Sequence, residues 1–250
     1  MTQTIITAAL PYANGRVHIG SLLEYIQTDI YSRFLKLIGE DALYICASDM
    51  HGTPIEVKAQ KEGKKPAEFA QANHQANQKT FEKYLIKFDN YHHTDSKENQ
   101  ELAEHFFNTL KKKGFIYKKE MEIVFCKDCD RNLPDRFVKG TCPNCGTFDQ
   151  YGDVCESCNL TLKGVDLINP KCSICQATPI KKDSEHYFFQ LSKFTNKLKT
   201  WLKNTPLQPE IKNSVKEWLN KGLEDWCISR DGPYYGFKIP GEKNKYFYVW

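Results

Sequence analysis

The sequence predicts an α/β protein: a parallel sheet with its connecting helix, interrupted by a small cysteine-rich module. Two observations carry this prediction. Residues 4–48 run from an apolar stretch through a helix-periodic stretch to a second apolar stretch, the pattern of a βαβ unit with a right-handed crossover. Further along, eight of the ten cysteines fall into four Cys-x-x-Cys pairs between positions 126 and 175. With 250 residues, 40% of them hydrophobic and 26% charged, the chain can bury a full core and has the composition of a globular rather than a disordered protein.

The elements follow in order. "TIITAAL" (4–10) is apolar and rich in β-branched residues and is stopped by Pro11, as expected of a buried strand. After the turn "PYANG", Leu22, Ile26, Ile30, Phe34 and Leu37 recur at helical spacing, and Gly39 suits a C-terminal cap. "DALYICAS" (41–48) reads as a second buried strand, followed by the loop "DMHGTP" (49–54). Helices are expected over 54–62, over 66 to about 87, and from near Ser96 to Gly114. Residues 121–182 change in texture, to short pieces with prolines and glycines. Residues 188–202 and 211–222 read as helices again, and "KYFYVW" at 245–250 reads as an aromatic strand.

No apolar run reaches the ~20 residues of a membrane helix, and the N-terminus lacks the basic and apolar regions of a signal peptide, so a cytoplasmic protein is expected. In such a reducing compartment ten cysteines point to metal rather than disulfides. Cys-x-x-Cys places two thiolates on one side of a tight turn, and two such turns complete the tetrahedron that zinc prefers. Cys126/Cys129, Cys142/Cys145, Cys155/Cys158 and Cys172/Cys175 therefore fit two structural four-thiolate sites. Spacing leaves the grouping open between neighbouring pairs and a nested order. The nested order would place the second and third pairs, 9 residues apart, in an inner knuckle. Cys46 and Cys227 stand alone, and Cys46 reads as core packing.

Two such zinc sites would each carry about −2, which cancels the formal net charge of +4 and removes it as an argument for general nucleic-acid affinity. The lysine-rich run "KKKGFIYKK" (111–119) reads as a helix end whose charges offset the dipole, or as a nucleic-acid contact.

Near the start, "HIGS" (18–21) sits where the first helix begins. A helix N-terminus after the first strand of a parallel sheet favours an anion, and Gly20 permits close approach of a phosphate. His18 can donate to a phosphate oxygen as charge shifts during reaction. Taken with "ALPYANG" before it, "DMHGTP", "WCISRDGPYYGF" (226–237) and "DRFVKGTCPNC…DQYGDVCESC" (135–158), the stretch resembles the class I aminoacyl-tRNA synthetases, and among them the methionyl-tRNA synthetases. The resemblance covers essentially the whole chain.

What the resemblance implies is specific. The fold would be the Rossmann-like catalytic sheet of class I synthetases with an inserted zinc-knuckle connective domain. Residues 1–115 would form the first half of the catalytic domain and 116–237 the insertion, with knuckles over 123–183. Residues 238–250 would begin the second half. The activity would be ATP-dependent formation of methionyl-adenylate, with Mg²⁺ accompanying ATP, and transfer to tRNA(Met). Asn14, His18, Gly20 and Ser21 match the ATP-binding signature, His18, Gly20 and Ser21 being its catalytic part. Leu10, Tyr12 and Trp250 match the methionine side-chain pocket. Asp49 matches the carboxylate for the substrate ammonium, and Arg230 an active-site arginine. Glu24 matches an active-site position without an assigned role. The zinc order in the family is nested: Cys142, Cys145, Cys155 and Cys158 inner, Cys126, Cys129, Cys172 and Cys175 outer.

Two departures stand out. The signature ordinarily ends in a second histidine where this chain has Ser21, which is shorter and reaches a phosphate only at closer range. The family's Lys-Met-Ser-Lys-Ser element does not occur in the 250 residues, so the chain is expected to be the front portion of a longer enzyme and nearly inactive by itself. Rival readings are an enzyme for another amino acid, an inactive truncated paralogue, and a non-enzymatic zinc-ribbon nucleic-acid binder.

Overall fold

The computed structural model describes residues 3–248. These form two compact units: residues 3–101 with 234–237, and residues 102–233 with 238–248. Among the described residues, no helix is long and apolar enough to cross a membrane.

The first unit runs β1 (Thr4–Thr7), α1 (Ile19–Leu37), β2 (Ala42–Ser48), α2 (Thr53–Lys61), α3 (Pro66–Lys83) and β3 (Asn90–His93), and α4 (Lys97–Lys112) leads out of it. Its sheet has the order β1-β2-β3, parallel throughout, with Thr4 opposite Ala42 and Ile45 opposite Asn90. This is the α/β fold with a parallel sheet that the apolar stretches predict. In β2 the residues Ala42, Tyr44, Cys46 and Ser48 alternate as buried positions, the period of a strand with one sealed face. Tyr44 packs with Leu22 and Tyr25 of α1, Phe81 of α3 and Ile86. Full burial of a side chain of this size stabilises by roughly 1.5–3 kcal/mol.

Three details depart from the sequence expectation. β1 ends at Thr7 rather than at position 10. There the backbone leaves the ladder, because the Ala9 N–H donates to Glu24 Oε1 (2.6 Å) and the Ala9 carbonyl accepts from the Tyr25 hydroxyl (2.9 Å). In α1 the inward face is Leu22, Tyr25, Asp29 and Ser32, whereas Ile30, Phe34 and Leu37 are exposed. The helix is turned because the buried Asp29 carboxylate accepts from Arg33 Nε (2.6 Å) and from the Lys87 N–H (2.9 Å), fixing that edge to the loop after α3. β3, "NYHH", has no apolar alternation to announce it and pairs through its backbone.

The second unit contains β4 (Ile116–Cys126), β5 (Arg131–Asn132), β6 (Val138–Thr141), β7 (Gln150–Tyr151), β8 (Ile168–Cys172), β9 (Ile180–Phe189), α5 (Thr195–Asn204), α6 (Pro209–Lys221), β10 (Trp226–Cys227), β11 (Ser229–Asp231) and β12 (Lys245–Phe247). β4 and β9 pair antiparallel from Ile116–Phe189 to Phe125–Ile180, in a sheet of order β10-β9-β4-β5. The knuckles lie in sequence between these two arms, with their own sheet β7-β6-β8. Gly152 is required there: a Cβ would stand 2.7 Å from Gly164 Cα. The expected helix from position 188 begins only at Thr195, because Phe188 and Phe189 are held in the ladder opposite Tyr117 and Ile116.

Asp29→Ala would leave the Lys87 N–H without its acceptor and Arg33 with the Leu85 carbonyl alone. A loss of about 1–3 kcal/mol is expected in denaturant unfolding followed by circular dichroism, with Asp29→Asn intermediate. An unchanged midpoint would show that the carboxylate does not hold this edge.

Candidate active site and metal centres

The parallel pairing of β1 and β2 continues one rung past the strands. Tyr12 bridges Asp49, with Ala13 N–H donating to the Asp49 carbonyl (2.8 Å) and Asp49 N–H to the Pro11 carbonyl (2.9 Å). A phenol and a carboxylate thus meet at the C-terminal ends of two parallel strands, where α/β sheets bind ligands. The Tyr12 hydroxyl donates to the His51 carbonyl (2.8 Å). Burial, then the neighbouring Asp49 carboxylate, push the Tyr12 phenol up, so it stays a neutral donor. Burial also raises the Asp49 carboxyl, against lowering by the His51 N–H, the His51 side chain and the Thr94 hydroxyl. An ammonium ion placed beside Asp49 would oppose that effect of burial. Leu10, just before Tyr12, is 46% exposed and free to meet a ligand.

The turn that follows is pinned from below. Asn77 of α3, fully buried, accepts the Val17 N–H through Oδ1 (3.0 Å) and faces the Gly15 carbonyl through Nδ2 (3.5 Å). The Asn14 carbonyl accepts from Lys58 Nζ (2.7 Å). His18 is the N-cap of α1: its extended backbone lets Nδ1 accept the Gly20 N–H (3.1 Å). Its carbonyl accepts from the N–H groups of Ser21 and Leu22 (both 3.0 Å). His18 and Gly20 are exposed and Ser21 is half-buried. Beside the turn opens a cleft of about 510 Å³ whose lining includes Asn14, Gly15, Arg16, Lys58, Lys61 and Lys64. These cations and the positive end of the α1 dipole give this side of the unit a charge that would favour an anion, while the first N–H groups of α1 are taken up by His18 itself. Glu24 gains a structural explanation, since its carboxylate holds the Ala9 N–H at the end of β1.

Arg230 belongs to the second unit. Its Nη1 donates to the Ser229 carbonyl (2.8 Å) and lies 3.7 Å from Cys227 Sγ, and its guanidinium covers the Tyr248 ring at 3.7 Å. The structure therefore brings Leu10, Tyr12, Asn14, His18, Gly20, Ser21 and Asp49 together in one unit and places Arg230 in the other. Trp250 lies outside the described residues. Asn77 and Thr94 are contributors that no local motif signals, since their partners are far away in sequence.

The cysteines gather as two tetrads, Cys126/Cys129/Cys172/Cys175 and Cys142/Cys145/Cys155/Cys158, with the sulfurs of each within 4.8 Å of one another. Sulfur separations of 3.5 Å (Cys126–Cys175), 3.9 Å (Cys129–Cys172), 3.9 Å (Cys142–Cys158) and 3.6 Å (Cys145–Cys155) bracket the ~3.8 Å edge of a tetrahedron with metal–sulfur bonds near 2.3 Å. The nested grouping is the observed one. Each Cys-x-x-Cys is followed at once by a residue of positive φ: Asp130 (45°), Gly146 (71°), Asn159 (56°) and Gln176 (65°). That left-handed residue turns the chain back on itself, as in the Gly146 N–H to Cys142 carbonyl bond (3.1 Å) and its counterparts Asn159 to Cys155 (2.8 Å) and Gln176 to Cys172 (2.9 Å). Two thiols of each tetrad are fully buried, so each site can hold a thiophilic ion and has no open position built for a substrate. Cys46 is buried in β2, and burial raises its thiol to about 11, as befits a packing residue.

A parallel sheet β1-β2-β3 like that of a Rossmann fold, with two four-cysteine clusters later in the chain, agrees with the catalytic fold of a class I aminoacyl-tRNA synthetase. The chain belongs to the family of class I (M) tRNA synthetases, whose pattern matches residues 4–250. It is 49% identical over 249 residues to the methionine–tRNA ligase of Myxococcus xanthus (strain DK1622), covering 99% of this chain and 35% of that protein. Two solved structures share its fold: Mycobacterium tuberculosis methionyl-tRNA synthetase in complex with methionyl-adenylate (TM-score 0.75, 22% identity) and a second structure of that synthetase bound by methionyl-adenylate (TM-score 0.74, 23% identity). Each is covered over 45% of its chain by 100% of this one. The chain thus spans about a third to somewhat under half of the length of these relatives.

A Cβ at position 20 would stand 3.0 Å from His18 Cε1 and 3.1 Å from Nδ1. Gly20→Ala should therefore displace the imidazole from its cap. The expected result is a shift of the His18 ring nitrogen resonances in ¹⁵N NMR, while global stability changes by no more than ~1 kcal/mol because alanine favours the helix. An unmoved His18 signal would refute the cap geometry.

Proposed function

We propose that this chain forms the methionine-activating portion of a methionine–tRNA ligase. In the reaction a carboxylate oxygen of methionine attacks the α-phosphorus of ATP. A new C–O–P linkage forms, the bond between the α-phosphorus and the bridging oxygen breaks, and pyrophosphate leaves with the bonding electrons. The methionyl group then passes to the 3′ end of tRNA(Met), in the cytoplasm.

The observation that carries this reading is the Tyr12–Asp49 rung one turn away from the His18 cap. Asp49 is the counter-ion for the substrate ammonium, at the strand ends where the amino acid enters. Tyr12, Leu10 and Trp250 offer apolar and aromatic surface to the thioether, whose sulfur gains from contact with rings. Asn14, His18, Gly20 and Ser21 receive the ATP phosphates, with Mg²⁺ bound to ATP. As negative charge moves towards the leaving pyrophosphate, a His18 ring swung off its own helix cap places an N–H on a phosphate oxygen. By the family resemblance Arg230 is a further active-site cation. The boundaries 1–115, 116–237 and 238–250 describe the catalytic half, the insertion and the start of the second catalytic half. Identity to the Myxococcus ligase over nearly the whole chain supports the assignment to methionine.

Two structural zinc ions complete the insertion: an inner one on Cys142, Cys145, Cys155 and Cys158, and an outer one on Cys126, Cys129, Cys172 and Cys175. Each supplies folding energy to its knuckle rather than chemistry.

Elemental analysis of the purified chain should find two zinc ions per molecule, falling to one in Cys155→Ser. One or none in the unmodified chain would refute the two-ion assignment. Methionine-dependent ATP–pyrophosphate exchange is expected from the full-length protein that carries this chain, and little from the 250 residues alone. Asp49→Asn should lower kcat/KM for methionine on the order of 10²-fold, the cost of leaving a buried charge without its partner. Absence of exchange from the full-length protein would favour an inactive paralogue.

A further inference from the structure

The loop that carries Asp49 is held by a clamp made of residues without an assigned role. His51 is 6% exposed. Its Nε2 lies 3.0 Å from Asp95 Oδ1, and the other Asp95 oxygen accepts from the Tyr235 hydroxyl at 2.9 Å. The His51 ring meets Tyr235 and Phe237 edge to face, with centroids 5.2 and 4.5 Å apart. The clamp closes through the backbone, since the Gly52 N–H donates to the Tyr235 carbonyl (2.9 Å).

The backbone of the same histidine carries both groups assigned to the amino-acid pocket. Its carbonyl accepts the Tyr12 hydroxyl (2.8 Å), and its N–H faces Asp49 Oδ1 (3.5 Å). The imidazole is thus tied on one side to Asp95 and the main chain on the other side to Tyr12 and Asp49. An ionised carboxylate at Nε2 selects the tautomer that donates there and fixes the ring plane. The Asp95 carboxyl is held below the usual range, first by its hydrogen bond from His51, against burial and with help from Tyr235. A fixed ring fixes the loop backbone, because residue 51 cannot rotate its peptide planes without breaking the ring's seat between two aromatic side chains.

We propose that Asp95 is a positioning residue for the amino-acid pocket: acting through His51 and braced by Tyr235, it sets where the Tyr12 hydroxyl and the Asp49 carboxylate stand. This rests on the assignment of Tyr12 and Asp49 to methionine binding. The phosphate-binding turn is held by other groups, Asn77 and Lys58. Loss of the clamp therefore weakens amino-acid binding and leaves ATP use intact.

The test is ATP–pyrophosphate exchange by the full-length protein with methionine and ATP varied separately, for the unmodified enzyme, Asp95→Asn and Tyr235→Phe. Asp95→Asn is expected to raise KM for methionine about fivefold, the net worth of one ordinary hydrogen bond, with KM for ATP and kcat within about twofold. Tyr235→Phe, which keeps the ring and removes only the hydroxyl, should move KM for methionine in the same direction by a smaller factor. Should Asp95→Asn fail to fold, Tyr235→Phe decides alone. An unchanged KM for methionine, or equal losses for methionine and ATP, overturns the proposal while leaving the enzyme assignment standing. An unmodified enzyme without methionine-dependent exchange overturns the enzyme assignment and the proposal with it.

Discussion

The candidate site depends on one rung of parallel pairing. Between Tyr12 and Asp49 the backbones of the first two strands exchange hydrogen bonds beyond the ends of the regular sheet. Neither residue is in a strand long enough to fix it by propensity. The rung works because the chain on both sides is already committed: β1 is tied at its end to Glu24 and Tyr25 of α1, and β2 has its inner face sealed by the aromatic core. Tyr12 reaches across to the His51 carbonyl, and the chain beyond Ala13 turns towards the start of α1.

The second unit reaches order by different means. Its long β4–β9 arms present lysine and glutamate on much of their length, with ion pairs such as Lys118–Glu185 (2.8 Å) and Lys181–Glu122 (2.7 Å) between exposed partners, which contribute little individually. One of its apolar clusters joins Phe107, Ile116, Tyr187 and Ile239. The knuckles between the arms bury the small apolar set Leu133, Phe137, Val138, Leu162 and Leu167, and their two cysteine tetrads could hold ions that add folding energy to it.

Much of this was legible in the sequence, and the limits have physical causes. The parallel sheet announced itself because both of its first strands are apolar runs bracketed by turn residues. The knuckles were legible from Cys-x-x-Cys alone, and three of the four residues that follow the pairs, Asp130, Gly146 and Asn159, belong to the types that tolerate positive φ. Gln176 does not, and nothing local betrays its conformation. β3 was hidden because its four residues are largely polar and pair through the main chain. The inward turn of Asp29 was hidden because a hydrophobic stripe says nothing of a buried carboxylate whose partners lie on another element. His18 and Gly20 were readable as the start of the first helix, but the imidazole lying on its own helix cap was not. The His51–Asp95–Tyr235 clamp joins residues 44 and 140 positions apart, and no periodicity reports such separations.

The cysteine tetrads have sides. In each, two thiols are sealed in the protein while one, Cys145 or Cys175, is exposed to solvent. An ion held there sits in a bowl rather than a cage. A competing thiol or chelator would meet such an ion from the side of the exposed sulfur. The two buried sulfurs would be the last to release a bound ion, and its loss would take from the knuckle the folding energy that the ion supplies.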